Sequence, residues 1–154
     1  MCNHLKAGQC LLGLDSGKKR WGIALSDANL RVALPLLQHA RGKYAADMGF
    51  LQRLAAERQV GGVIIGLPLH MDGGESPRGQ AARQLAQDIE RQLDLKTALW
   101  DERFSSVAME RAMIEEADLT RKKRRKSLDK LAATFILQGA LDAIQHLREE
   151  TELA

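Results

Sequence analysis

Two cysteines in 154 residues, Cys2 and Cys10, are too few and too poorly spaced for a zinc site. In a cytoplasmic protein they read as free thiols rather than a disulfide. No apolar run approaches the ~20 residues that a membrane-spanning helix needs, so no membrane association is expected. The amino terminus, MCNHLKAGQC, lacks the apolar core of a signal peptide, which makes a cytoplasmic location the expectation. Internal repeats and low-complexity tracts are absent as well. What is present is the balance of an ordinary globular chain, 45% apolar and 28% charged. This length suits one domain over 1–154 that buries roughly two-thirds of its unfolded surface. Its core is expected at about 10–147, between short flexible ends.

Charge is unevenly placed. The net charge is +3, yet Arg121, Lys122, Lys123, Arg124, Arg125 and Lys126 carry +6 between them. The rest of the chain is therefore at −3. A locally basic, otherwise near-neutral protein points to a defined anionic contact. The bland alternative is a solvated charged linker.

The pattern along the chain is strands first, then strands alternating with helices. Leu11–Asp15 and Trp21–Asp27 read as two strands joined by a glycine-bearing turn of hairpin length. Arg31–Leu37 reads as a third, with Pro35 placing it at an edge or a bulge. Helical spacing runs from Tyr44 to Arg58 and ends at Gly61-Gly62. Val63–Leu67 is short, β-branched and apolar, as in a strand covered on both faces. Pro68–Glu75 is a loop, either a mobile flap or a plain surface turn. Ser76-Pro77 caps and opens a helix through about Leu93. Lys96–Trp100 is a strand, Ser105 or Ser106 caps a helix to about Ala117, and Ser127 caps a last helix to about Leu147. The sum is an α/β protein with a mixed sheet and helices on both faces.

Acidic residues fall at three telling places. Asp15 ends the first strand, beside Gly13, Gly17 and Gly22 and the cations Lys18, Lys19 and Arg20. An ionised carboxylate there costs several kcal/mol unless paired or ligated. Asp101 and Glu102 end the last strand. Asp129 lies in the first turn of the last helix, whose apolar face by wheel position is Leu128, Leu131, Ala132, Phe135, Ile136 and Gly139. Asp129 then falls at the edge of that face, about 20° from Ile136. Three converging carboxylates repel one another unless a cation sits among them, and hard oxygen ligands suit Mg²⁺ or Mn²⁺. Two such ions can serve phosphodiester hydrolysis. Each residue also has a plainer reading. Asp15 could cap a turn, Asp101 or Glu102 could pair with Arg103, and Asp129 could favour a helix N-terminus. Trp21 reads as core or as a stacking surface for a base.

Four ordered motifs carry a family resemblance. Asp15-x-Gly17-x-Lys19-Arg20-x-Gly22-Ile23-Ala24-x-Ser26-Asp27 is the first, and Val63-Ile64-Ile65-Gly66-Leu67-Pro68-Leu69-His70-Met71-Asp72-Gly73 the second. Asp101-Glu102-Arg103-Phe104-Ser105-Ser106 is the third, and Arg121-Lys122-Lys123 with Asp129-Lys130-Leu131-Ala132-Ala133 the fourth. Together, from about Leu11 to Asp142, they resemble the YqgF/RuvX family of Holliday-junction-resolvase-like pre-16S rRNA nucleases. Ser16, Lys18 and Trp21 depart from that family's usual residues.

The resemblance implies an RNase H-like fold with a mixed five-stranded sheet. It also implies a Mg²⁺- or Mn²⁺-dependent nuclease, with two ions, acting on structured nucleic acid. Asp15, Glu102 and Asp129 would be the catalytic metal ligands, with Asp101 the alternative to Glu102. Lys18, Lys19, Arg20, Arg103 and the cations at 121–126 would contact phosphates. The leading substrate is the 5′ end of pre-16S rRNA, in ribosome biogenesis and with ribosomal particles as further partners. The alternatives are four-way DNA junctions or a non-catalytic assembly factor. The oligomeric state is open between monomer and homodimer, the latter favoured by a resolvase.

Overall fold

The computed structural model describes residues 5–68, 74–102 and 121–153. Five strands form one sheet: β1 (Cys10–Ser16), β2 (Arg20–Ser26), β3 (Ala33–Ala40), β4 (Val60–Leu67) and β5 (Lys96–Asp101). Their order is β3-β2-β1-β4-β5. The first three make an antiparallel meander, whereas β1–β4 and β4–β5 run parallel. Mixed pairing and the five strands agree with the sequence reading. Pro35 is accommodated in both expected ways. Strand β3 is an edge, and its register with β2 shifts between Ile23 and Ala24, where Ala24 faces Pro35.

Strand alternation divides the apolar residues between two faces. On one face Leu12, Leu14, Ile23, Val63 and Ile65 pack against α1 (Tyr44–Glu57) and α2 (Pro77–Leu93). On the other, Leu11, Ala24 and Ile64 pack against α3 (Arg121–Leu153). Trp21 is 1% exposed and belongs to the first cluster, which settles it as core. Helix α2 begins as its sequence requires: Gly79 N–H donates to Ser76 Oγ at 3.3 Å, and Pro77 occupies the first turn.

Helix ends differ from expectation at two places. Helix α1 ends at Glu57, and Gln59 rather than glycine takes the left-handed conformation, at φ 55°. Gly61 and Gly62 instead lie within β4. There a Cβ on Gly61 would come within 2.6 Å of Gln9 Oε1, so that glycine answers to a close approach. Helix α3 is already helical at Arg121 and runs to Leu153, so Ser127 lies inside it and is no cap. The basic run is therefore helical rather than a linker, in keeping with the good helix propensity of Arg and Lys.

The buried face of α3 is also rotated from the wheel reading. Among its described side chains, Ala133, Ile136, Leu137, Ala140 and Leu141 are the buried ones. Small residues decide this. A Cβ on Gly13 would lie 2.7 Å from Leu137 Cβ and 2.8 Å from the Ala133 carbonyl, so helix and strand meet almost backbone to backbone. A Cβ on Gly139 would lie 2.9 Å from Trp100 Nε1, so the indole packs directly on the helix backbone there. Close contact puts Ala133 and Ala140 against the sheet, while the bulkier Leu131 and Phe135 are only half-buried. Position 129 is on α3, one turn before Ala133. It is also the ninth residue from Arg121, beyond the first turn where a helix N-terminus favours negative charge. The expected helix from Ser105 or Ser106 to Ala117 lies outside the described residues.

Candidate active site

The site forms where β1, β4 and β5 end. Asp15 pairs with Gly22 across β1–β2 and shares its face with Leu11 and Gly13, the α3 side. On β5, Ala98 and Trp100 face α3 while Leu99 faces α1 and α2. Continuing that alternation puts Glu102 on the Asp15 side and Asp101 on the other. Of the two, it is Glu102 that shares a face with Asp15. Its backbone N–H donates to the Leu67 carbonyl at 3.2 Å, extending the β4–β5 ladder by one residue and fixing where its side chain starts.

Between the two carboxylates the floor is bare. A Cβ on Gly66 would lie 2.5 Å from Glu102 Oε1 and 3.1 Å from its Cγ. Only glycine leaves Glu102 room to lie across β4 toward Asp15. Burial pushes the Glu102 carboxyl up to about 7, and the neighbouring Asp15 charge adds to this. Arg78 opposes the shift, while a hydrogen bond between the Asp15 and Glu102 side chains reinforces it. A half-buried carboxyl in hydrogen-bonding contact with a second one costs more to ionise, a cost that a cation shared between them relieves. The donor set is all hard oxygen, the preference of Mg²⁺ and Mn²⁺.

Asp15 also opens onto a cavity of about 440 Å³ lined by Lys18, Lys19, Arg20, Gln38 and Arg78. The turn that carries the first three is fixed from below. Arg41 Nη1 donates to the Gly17 carbonyl at 3.2 Å, and its backbone N–H to the Lys19 carbonyl at 3.0 Å. The Arg41 guanidinium lies 5.2 Å from the Trp21 ring centroid, and its Nε is 3.6 Å from Asp47 Oδ2. Asp47 is 1% exposed and accepts at Oδ1 from Gly42 N–H at 3.1 Å, with His39 Nε2 at 2.8 Å. Burial alone would raise its carboxyl, but the Gly42 amide, His39 and Arg41 hold it below the usual range.

Of the residues expected from sequence, Asp15 and Glu102 are brought together, and Lys18, Lys19 and Arg20 line the adjoining cavity. Asp101 is turned away. Asp129 and the cations 121–126 lie on α3; their side chains, Arg103 and the tip of the 68–75 loop lie outside the described residues. Among the described residues no three acidic, histidine or cysteine side chains converge on one point. Arg78 and Gln38 went unnoticed in the sequence. Arg78 stands two residues past the helix cap Ser76, where a cation works against the helix dipole. That misplacement was the available signal.

A mixed sheet in this order, with acidic residues at the ends of β1 and β5 beneath a long helix, has the RNase H-like architecture of the RuvC resolvases. The similar structures include RuvC of T. thermophilus in complex with a Holliday junction substrate, at TM-score 0.56 and 12% identity. That match covers 90% of this chain and 96% of the other. The chain itself belongs to the RuvX family, whose model, described as Holliday junction resolvase, matches residues 9–143. A protein of Rhodobacter capsulatus is 49% identical over 89% of this chain and 86% of its own. One of Gluconacetobacter diazotrophicus is 49% identical over 91% of each. Both carry the name "Putative pre-16S rRNA nuclease".

Proposed function

We propose that this protein is a divalent-metal-dependent nuclease that hydrolyses phosphodiester bonds of structured nucleic acid, with the 5′ end of pre-16S rRNA as its substrate. One observation carries the reading: Asp15 and Glu102 lie together over the bare Gly66 at the mouth of a cation-lined cavity. Asp15 and Glu102 would hold Mg²⁺ or Mn²⁺, with Asp129 from the overlying helix as the third carboxylate. Two bound ions would supply an activated water and neutralise charge on the leaving oxygen. The chain's own residues do the rest. Lys18, Lys19 and Arg20 hold phosphates beside Asp15, and Arg41 keeps their turn in place. The cations at 121–126 are on the same helix as Asp129, so phosphates they hold lie close to the reacting one. No described helix is long and apolar enough to cross a membrane, which suits work in the cytoplasm on ribosomal precursors.

Four-way DNA junctions are the second reading, favoured by the family's description and the RuvC-like fold. One preparation assayed on 5′-extended precursor RNA and on a synthetic junction, with Mg²⁺, Mn²⁺ or EDTA, separates the two. Asp15→Asn is expected to abolish metal-dependent cleavage and leave binding intact. Unchanged cleavage by that variant refutes the metal-site assignment. Binding without cleavage by wild type on either substrate makes the protein an assembly factor.

A further inference from the structure

Arg78 reaches the site from an element that the four motifs do not include. Helix α2 covers the face of the sheet opposite Asp15, with Ala82, Leu85 and Ile89 buried against it. Its first turn is nevertheless pressed on the end of β4, where a Cβ on Gly79 would come 3.0 Å from the Pro68 carbonyl. This contact holds Arg78 at the rim of the strand ends. There it lines the same cavity as Asp15 and acts electrostatically on Glu102.

The cavity has a definite floor and a definite sign. Asp15 pairs with Gly22 on β2, and Gly22 pairs with Gln38 on β3. The row Asp15–Gly22–Gln38 therefore crosses three neighbouring strands, with no side chain in its middle. A shallow track leads from the carboxylates toward the β3 edge. Lys18, Lys19 and Arg20 flank it from the β1–β2 turn, and Arg78 from α2, all four exposed. Four cations face two carboxylates, so the track is positive even with both carboxylates ionised. Bound divalent ions would make it more so. A guanidinium beside metal-binding carboxylates opposes the metal unless an anion occupies the space between them. A polyanion that lies along the track supplies that anion.

We propose that Arg78 and Gln38 complete a phosphodiester subsite on the Asp15 side of the centre. Arg78 grips a non-bridging phosphate oxygen next to the cleaved bond, and the Gln38 amide donates to the backbone as it leaves toward β3. The inference rests on the nuclease reading of the same site. A planar guanidinium is suited to paired contacts with phosphate oxygens that a lysine does not reproduce.

The test is binding of a 5′-extended RNA hairpin across a salt series, in EDTA and again with Ca²⁺. Wild type, Arg78→Ala, Arg78→Lys, Gln38→Ala and the control Arg83→Ala are compared. Arg83 lies on the same helix but is paired with Glu75. Arg78→Ala is expected to bind roughly tenfold more weakly at low salt, as for one lost charge-assisted hydrogen bond. Its log–log salt slope should be shallower by about 0.7–0.9, the loss of one phosphate contact. Arg78→Lys should keep the slope and recover only part of the affinity. Gln38→Ala should weaken binding with no change of slope, and Arg83→Ala should match wild type. Unchanged affinity and slope for Arg78→Ala overturn the subsite, because Arg78 then acts on the carboxylates alone and its loss would only lower the Mg²⁺ needed for cleavage. If wild type shows no salt-dependent binding, the nuclease reading fails and the subsite fails with it.

Discussion

Adding one methyl group at residue 66 tests the architecture of the site directly. In Gly66→Ala the new Cβ starts 2.5 Å from Glu102 Oε1 and 2.5 Å from Ile136 Cδ1. Ordinary contact begins near 3.4 Å, so each neighbour must withdraw by about 0.9 Å. Ile136 is buried beneath α3 and has little room to do so. Overpacking of this kind costs about 1–3 kcal/mol, or ~3–9 °C in Tm for a chain of this size. Displacing Glu102 by nearly an ångström is expected to reduce cleavage about 100-fold, the usual consequence of misplacing a reacting group by that much. The double variant Gly66→Ala/Ile136→Val separates the two effects. Removing Cδ1 should return most of the Tm and none of the activity. Thermal melts and single-turnover cleavage, run together on the two variants and wild type, read both. Full activity in Gly66→Ala, or activity regained with Ile136→Val, would refute the placement of Glu102 over Gly66.

Other perturbations have equally definite outcomes. Glu102 titrates at about 7 in the fold against an ordinary 4.5, so without metal it costs stability as pH rises through that window. Glu102→Gln is therefore expected to stabilise the protein by roughly 1–3 kcal/mol at pH 8 in EDTA while abolishing cleavage, and a lower melting temperature contradicts the repulsion. Asp88 behaves oppositely. The Tyr44 hydroxyl, donating at 2.5 Å, holds its carboxyl below the usual range against burial, helped by Gln84 and Arg91. Its stabilisation is present above the ordinary carboxylate pKa and is lost as pH falls through the lowered one. Tyr44→Phe should accordingly lose about 1–3 kcal/mol at pH 7 and less at pH 3, measured by urea denaturation. Gly13→Ala sets a methyl against the Ala133 carbonyl and should destabilise by about 1–3 kcal/mol, with α3 losing amide protection first in hydrogen exchange. If four of the cations at 121–126 contact phosphates, their combined removal should flatten the salt slope by about 3–4.

Much of this was readable in advance, because local chemistry governs it. Val63–Leu67 lies in a strand buried on both faces, Ser76-Pro77 opens α2, and Asp15 stands one residue before the end of β1, all from patterns a few residues long. The motif Asp101-Glu102 left two carboxylates open, and the alternation past Trp100 puts Glu102 on the face of Asp15. Failures came where a contact distant in sequence outweighs a local signal. Gly13 draws α3 in through Ala133 and Leu137, so its buried face is not the one with the largest side chains. Gln59 takes the left-handed turn that Gly61 seemed to offer, and Gly61 lies within β4 instead. Arg78 belongs to the cavity through the packing of Gly79 on Pro68, which no periodicity records. The Asp47–His39–Arg41 cluster joins β3, α1 and the β1–β2 turn, and nothing in any one segment announces it.

The position of β1 between an antiparallel and a parallel neighbour has a consequence for the life of the chain. Pairing β1 with β2 closes a loop of a few residues, whereas pairing it with β4 joins positions about fifty apart, such as Leu14 and Ile65. Glu102 comes in only after β5 has docked on β4, and position 129 later still. Local hairpins form readily, and distant parallel pairings are slow because loop closure comes before any contact rewards it. On a ribosome Asp15 would emerge early, with its turn and its cations, and wait for the rest of the sheet. The proposed centre stays incomplete until β5 and the segment around position 129 have been made. A nuclease of the kind proposed above is thus inert until those segments have folded onto β1.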